Sequence, residues 1–360
     1  RIVNTSLFMT DWYIDQMKMK THKSDPIPSS FNREQYKGSR RDYSLYVERT
    51  EEPLLLDEML KFIALEDERA KITLDSGNKV NYFPSKKVFL PIDKNTIIKN
   101  KVVDPKFYDS IVPQIEFTIK DKALYKNRLM MLDIVNQNNW KRPIYFTGGS
   151  FGDDDYIWMK DYLQLDGMCF KLVPVKTPVK SPNPMEMGYI DSDKMFDIVM
   201  KWDWGNSESP AIYHDPETRK NSISYRTNLA RLAETLINEN KLGKAEKVID
   251  LAMEKMPLEY FGYYSLEPFA KGYYAVGKKE KAKTMLTKLI KKQQENLAYY
   301  NTWKPSDQNF SAMDIMMDIE QYRSFLEIAK YGKDLEFYNK EKLKFNNYNK
   351  MFIRFGRKME

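Results

Sequence analysis

One cysteine, Cys169, and two histidines, His22 and His214, are all that 360 residues contain of those two types. A single thiol permits no intramolecular disulfide and no CxxC zinc or redox motif. Two histidines far apart in sequence do not make a His-rich metal site, so neither a metal nor an organic cofactor is expected. No apolar run approaches the ~18 residues of a membrane-crossing helix, and mean hydropathy is −0.64. Against these shortages stand 19 Phe, 24 Tyr and 6 Trp within an apolar fraction of 42%. That composition is far from disorder and sufficient for sizeable cores. The length exceeds one ordinary core of about 100–200 residues, so the chain reads as a soluble, two-domain protein held by packing.

Charge is nearly balanced, 58 basic against 51 acidic residues, but it is segregated. Lys271 to Glu295 holds eight lysines against Glu280 and Glu295, whereas Asp153 to Asp166 holds five aspartates against Lys160. The basic excess belongs to one helix pair and reads as a solvated lysine face. With no recognisable DNA- or RNA-binding module beside it, a nucleic-acid partner is not expected.

The chain opens on Arg1 without a signal-peptide core, which reads as a piece of a longer protein whose targeting signals lie upstream. Arg1 to Leu7 is expected as a short apolar strand and Asp11 to Met17 as a short helix. Residues 21–53 are polar and punctuated, and no regular element is expected there. Leu54 to Ala70 carries Leu55, Met59, Phe62 and Ile63 at helical spacing. The stretch 71–83 predicts a β-hairpin, with Ile72/Leu74 and Val80/Tyr82 alternating on either side of Asp75-Ser76-Gly77-Asn78. Strands are expected at Lys87–Ile92, Ile115–Ile119, Pro143–Phe146 and Phe170–Val175, and helices at Leu124–Asn138 and from Asp153 through Tyr162. This alternation predicts an α/β domain over 1–209, a mixed sheet with flanking helices and partly parallel strands. Residues 174–188, with Pro174, Pro178, Pro182 and Pro184, form a Pro-rich loop or linker.

Beyond residue 210 the strand signals stop and repetition begins. Leu229, Leu232, Ala233, Leu236, Ala245, Ile249, Ala252 and Pro257 follow a tetratricopeptide-like pattern. Shifted by 37, most of it recurs as Leu266, Phe269, Ala270, Tyr273, Ala282 and Leu286. The offset exceeds the 34-residue period and fits a lengthened turn at Leu258–Gly262. Residues 210–360 are thus expected as an all-α tetratricopeptide-like repeat domain, with repeats at 226–259 and 263–296. Two capping helices follow, Ser311–Tyr331 and Lys333–Phe345.

Gly148-Gly149-Ser150-Phe151-Gly152 matches the G-x-S-x-G nucleophile elbow between an expected strand and helix, and His214 lies downstream in α/β-hydrolase order. A serine hydrolase using Ser150 and His214 is therefore one reading. The steric need for glycine at a strand-to-helix turn is the other. Asp153-Asp154-Asp155 already supplies negative charge at that helix start, which favours capping over phosphate binding. Asp11 and Asp15 lie one helical turn apart and read as a solvated helix start.

Three blocks carry a resemblance: Val3–Leu7 with Thr10–Met17, Ile72–Gly77 with Val80–Pro84, and Asn138–Phe146. Together they resemble the C-terminal half of a bacterial family of multi-spanning membrane proteins of unknown function. That family is similar to the transmembrane protein O-mannosyltransferases and grouped with GT-C glycosyltransferases. The resemblance implies a membrane-helix bundle upstream, carrying the lipid-linked sugar site and the catalytic acid, with this chain on the periplasmic face of the inner membrane. No catalytic residue is carried over, and the positions that match here are Asn4, Ser6, Asp11, Trp12, Tyr13, Asn139, Trp140 and Arg142. Tetratricopeptide domains bind extended peptides on the inner face of each repeat's first helix. On this chain those positions are Thr227, Glu234 and Asn238, then Tyr264, Glu267, Lys271 and Tyr274. The expected function is a non-catalytic extracytoplasmic domain of a glycosyltransferase-like membrane protein that binds acceptor protein or a partner. An envelope assembly scaffold and the serine hydrolase stand as alternatives.

Overall fold

A computed structural model describes residues 1–147, 155–177, 187–263 and 265–356, and the chain divides into two units, Arg1–Tyr189 and Ile190–Glu360.

The first unit is mixed α/β. Its elements are α1 (Asp11–Lys18), α2 (Arg33–Tyr36), β1 (Tyr43–Tyr46), β2 (Leu54–Leu55), α3 (Leu56–Ala64), β3 (Lys71–Thr73), β4 (Lys79–Phe83) and β5 (Lys87–Pro91). They continue through α4 (Lys94–Lys99), β6 (Gln114–Thr118), β7 (Ala123–Tyr125), α5 (Lys126–Gln137), β8 (Tyr145–Thr147), β9 (Leu163–Asp166) and β10 (Cys169–Leu172). The strands form three small sheets, ordered β3-β4-β1-β7, β2-β5-β6 and β8-β10-β9. Among the described strands, β1–β4 and β2–β5 pair in parallel, and Gln164 of β9 makes a single parallel bridge to Tyr189. The alternation of β6 buries Ile115 and Phe117 and leaves Glu116 and Thr118 exposed, the period of a half-buried strand. In α3, Leu56, Met59, Leu60 and Ile63 make one buried stripe, with Asp57 and Glu58 in the first turn, where the helix dipole favours them. The expected hairpin is present, with Ile72 opposite Val80 and Gly77 at φ +82° in its turn.

Several expectations fail in this unit. The helix expected over Leu124–Asn138 starts at Lys126, because Ala123–Tyr125 pairs with β1, and the described part of the helix expected from Asp153, Asp155–Tyr162, is a 3-10 helix. Arg1–Leu7 is not a strand: Ser6–Met9 is a 3-10 turn, Ile2 is 94% exposed, and only Phe8 enters the core. The amides of Leu7 and Phe8 bond back to the carbonyls of Asn4 and Thr5, so the backbone is satisfied locally. Residues 21–53 do contain regular elements. Asn32 and Gln35 close a capping box on α2, and β1 lies between β4 and β7. The helix expected from Leu54 begins at Leu56, because Leu54 and Leu55 pair with Val88 and Phe89.

The second unit is all helical: α6 (Ser192–Val199), α7 (Pro216–Asn238), α8 (Leu242–Lys255), α9 (Leu258–Phe261), α10 (Glu267–Ala275), α11 (Lys279–Asn301), α12 (Pro305–Phe310), α13 (Ala312–Tyr331), α14 (Leu335–Met351) and α15 (Ile353–Gly356). Asp215 caps α7 through the amides of Glu217 and Thr218, with Pro216 at the first helical position. Residues 190–209, expected with the α/β domain, belong here. Asp193 of α6 receives both Lys241 and Lys244 at 2.6 Å, which ties α6 to the start of α8. Helices α7/α8, α10/α11 and α13/α14 form successive packed pairs. The positions repeating at 37 residues are buried in both of the first two pairs, Leu229/Leu266, Leu232/Phe269, Ala233/Ala270, Leu236/Tyr273, Ala245/Ala282 and Ile249/Leu286. The lengthened turn holds α9 and ends at Gly262, φ +79°. No helix among the described residues is long and apolar enough to cross a membrane.

Candidate binding groove

Several family-block residues of the first unit make hydrogen bonds at the start of α1 and in the turn after α5. The backbone amide of Asn4 donates to the Tyr13 hydroxyl at 2.8 Å, and Tyr13 meets Phe8 edge-on at 5.4 Å. Asp11 accepts from the amide of Trp12 at 2.9 Å, while Ser6 is exposed and Trp12 is half exposed. Asn139 and Trp140 take positive φ, +44° and +56°, a conformation uncommon outside glycine. Asn138 holds this turn by donating to the Arg142 carbonyl at 2.7 Å, and Asn100 donates to the Trp140 carbonyl at 3.1 Å. Arg142 then reaches the carbonyl of Pro26 at 2.9 Å. Asp15 is no solvated helix start. Its partial burial opposes ionisation, but the Tyr36 hydroxyl and Arg33 guanidinium, 2.7 and 2.9 Å away, outweigh that and hold its carboxyl below the usual range.

Deeper in, Asp133 is fully buried on α5 and accepts from the amide and hydroxyl of Ser30 at 2.9 and 2.7 Å. Burial pushes its pKa up against these bonds and against the charge of Lys18. The arrangement fixes the 29–36 segment onto the helices.

The elbow at Ser150 lies outside the described residues. His214, in the second unit, is buried against the Phe261 ring at 4.4 Å, and its Nε2–H donates to the Ser207 carbonyl at 2.9 Å. A carbonyl can only accept, so Nε2 carries the proton there. Among the described residues no group of three or more His, Cys, Asp or Glu is placed to hold a metal ion.

A cavity with a mixed apolar and polar lining lies in the second unit. About 660 Å³ in volume, it is bounded by α7, residues 262–263 and 265–266, the start of α10, α11 and α13. On α11, Leu289, Lys292, Gln293 and Asn296 follow i, i+3, i+4, i+7 and share a face; on α13, Asp318, Gln321 and Phe325 do the same. Two polar rungs join those faces: Asn296 Nδ2 to Asp318 Oδ2 at 3.0 Å, and Gln293 Nε2 to Gln321 Oε1 at 2.8 Å. Gln293 is only 5% exposed, yet its Oε1 has no hydrogen-bond partner. Burial, aided by the like charge of Asp314, raises the Asp318 pKa against the Asn296 amide and the charge of Lys292. Arg226, fully buried on α7, shapes the turn by donating to the carbonyls of Met256 at 2.6 Å and Gly262 at 2.8 Å. Its removal from water brings its pKa down to about 10.

Of the positions expected to face a ligand, Glu267 lines this cavity and accepts from the Ser324 hydroxyl at 2.9 Å. Thr227, Glu234 and Asn238 of α7 do not line it. Tyr264 lies outside the described residues. Lys271 sits 5.0 Å over the Tyr331 ring at the end of α13, and Tyr274 donates to Asp334, the cap of α14, at 3.3 Å, so both are engaged in helix packing. Gln293, Asn296, Asp318 and Gln321 escaped sequence reasoning, although one signal existed. Gln293 falls in the apolar phase of α11, after Leu286, Leu289 and Ile290 and before Leu297.

A family model described as TMEM260-associated domain 2 matches residues 1–194. No curated protein and no solved structure matches.

Proposed function

The chain belongs to the TMEM260-associated domain 2 family, and on that premise we propose that it is a non-catalytic, extracytoplasmic, partner-binding part of a glycosyltransferase-like membrane protein. In this reading the membrane part upstream supplies the chemistry, and this chain holds acceptor protein or another partner at the periplasmic face of the inner membrane. The helix pairs α7/α8 and α10/α11 act as tetratricopeptide-like repeats, and the groove on α11 and α13 is the contact surface. The observation that carries the reading is the cavity of about 660 Å³ in the helical unit, lined by Glu267, Asn296, Asp318 and Gln321 beside Ile223, Leu289 and Phe325.

The test incubates the purified chain with detergent-solubilised lipid-linked sugars and acceptor peptides. No sugar transfer is expected from this chain alone. Transfer abolished by a point substitution within the chain contradicts the non-catalytic assignment.

A further inference from the structure

The stretch Asp307-Gln308-Asn309-Phe310-Ser311 leads from α12 into α13 and contains an Asn-x-Ser tripeptide, the acceptor pattern of asparagine glycosylation, with no proline at its middle position. Asp307 adds the acidic residue, two positions before the asparagine, by which bacterial transferases extend that pattern. The fold treats these neighbours differently. Gln308 is buried, and its Nε2 donates to the carbonyls of Tyr300 at 2.9 Å and Trp303 at 3.1 Å, which anchors the segment. Asp307 and Asn309 are exposed, and among the described residues the Asn309 carboxamide makes no hydrogen bond. Phe310 is 94% exposed, so the surface next to Asn309 has room for a bulky substituent. A second tripeptide, Asn4-Thr5-Ser6, differs on both counts. Ile2 stands where the acid would be, and Asn4 Oδ1 accepts from the amide of Leu7 at 3.4 Å.

We propose that Asn309 is a modification site that carries an N-linked glycan. This rests on the reading of the chain as extracytoplasmic, where lipid-linked sugar donors are used. The donor is an oligosaccharide on a polyprenyl diphosphate, and a membrane oligosaccharyltransferase supplies the step. Asn309 Nδ2 forms the new bond to the anomeric carbon, and the bond from that carbon to the diphosphate oxygen breaks. The lipid diphosphate leaves with the electron pair, and one Nδ2 proton passes to a base of the transferase. Attachment can precede folding. The folded chain then has only to leave Asn309 open to solvent, as the end of α12 does. A bulky, solubilising glycan at this position also shields the Phe310 ring.

The test produces the full-length protein, with a C-terminal tail of sequence Asp-Gln-Asn-Ala-Thr, in bacterial cells that hold an oligosaccharyltransferase and its lipid-linked oligosaccharide. The tail reports whether the chain meets the enzyme at all. Peptides of the purified protein are read by mass spectrometry. The expected result is a glycan mass increment on the Asn309 peptide and on the tail, with the Asn4 peptide unmodified. Asn309→Gln, Ser311→Ala and Asp307→Ala are expected to remove the increment at 309, and Ser311→Thr to keep it. Because attachment can precede folding, a variant that folds poorly still presents the acceptor, and the tail remains its internal control. A modified tail with Asn309 bare, a glycan on Asn4 in place of Asn309, or an increment at 309 that survives Ser311→Ala overturns the proposal and leaves the extracytoplasmic reading standing. Tail and Asn309 both bare overturns the two together.

Discussion

The ring of Tyr274 lies directly over Gly332: a Cβ added at 332 would sit 2.3 Å from its Cγ and Cδ1. The contact, together with the hydroxyl bond to Asp334, packs Tyr274 of α10 against the turn between α13 and α14. Gly332→Ala must therefore displace a ring, and overpacking of this kind costs about 1–3 kcal/mol. Chemical denaturation should show that loss, and in a Tyr274→Ala background the added cost of Gly332→Ala should fall close to zero.

Arg226 supplies the second prediction. Arg226→Met leaves the Met256 and Gly262 carbonyls without these donors and should cost about 2–4 kcal/mol. Because residues 262–263 and 265–266 bound the groove, Arg226→Lys should keep more of the fold than Arg226→Met yet still weaken partner capture there. Urea titration and photo-crosslinking from the groove, measured on the same samples, check both effects.

Asp133 makes the first unit's stability depend on pH. Its native pKa is raised, so the folded chain holds this proton more tightly than the unfolded chain. Stability therefore falls as pH rises from the ordinary carboxylate range into the raised one. Asp133→Asn should flatten that part of the profile, whereas Asp133→Ala should cost about 2–3 kcal/mol by stripping Ser30 of its acceptor. Thermal melts between about pH 3 and pH 7, spanning the ordinary carboxylate range and the units above it, distinguish the two.

Asp193 behaves in the opposite sense. Hydrogen bonds from Lys241 and Lys244 bring its pKa down to about 2. The resulting stability is present above the unfolded value of 3.8 and is lost as pH falls towards about 2. Its side chain is 47% exposed, so solvent screening holds the contribution of the cluster to below about 1 kcal/mol. Asp193→Asn should lower the melting temperature slightly at about pH 6, well above the ordinary carboxylate range, and have little effect near about pH 2. Added salt should shrink the difference.

What was legible in the sequence was local. The 71–83 hairpin, the buried stripe of α3 and the 37-residue recurrence all follow from periodicity within a short window. Strand β1 was not legible, because Tyr43–Tyr46 is a strand by virtue of partners that lie far along the chain, Leu45 pairing with both Tyr82 and Ala123. The Asn4–Ser6 turn misled through the apolar Ile2 and Val3 before it, which find no strand to join. For the groove, Glu267 was anticipated from repeat geometry. The rest of the polar wall arises where α11 meets α13, and a helix–helix contact of that kind has no signature in either helix alone beyond the misplaced Gln293.

The central claim is that the α11–α13 groove holds a partner, and a photo-crosslinker tests it most directly. A benzophenone side chain placed at Gln321 on the rim, or at the exposed Lys247 of α8 as a control, is irradiated in intact membranes of cells producing the protein. The account predicts one discrete polypeptide adduct from position 321, mapped by mass spectrometry, and none from position 247. Equal adducts from both positions, or no adduct from 321, contradict it.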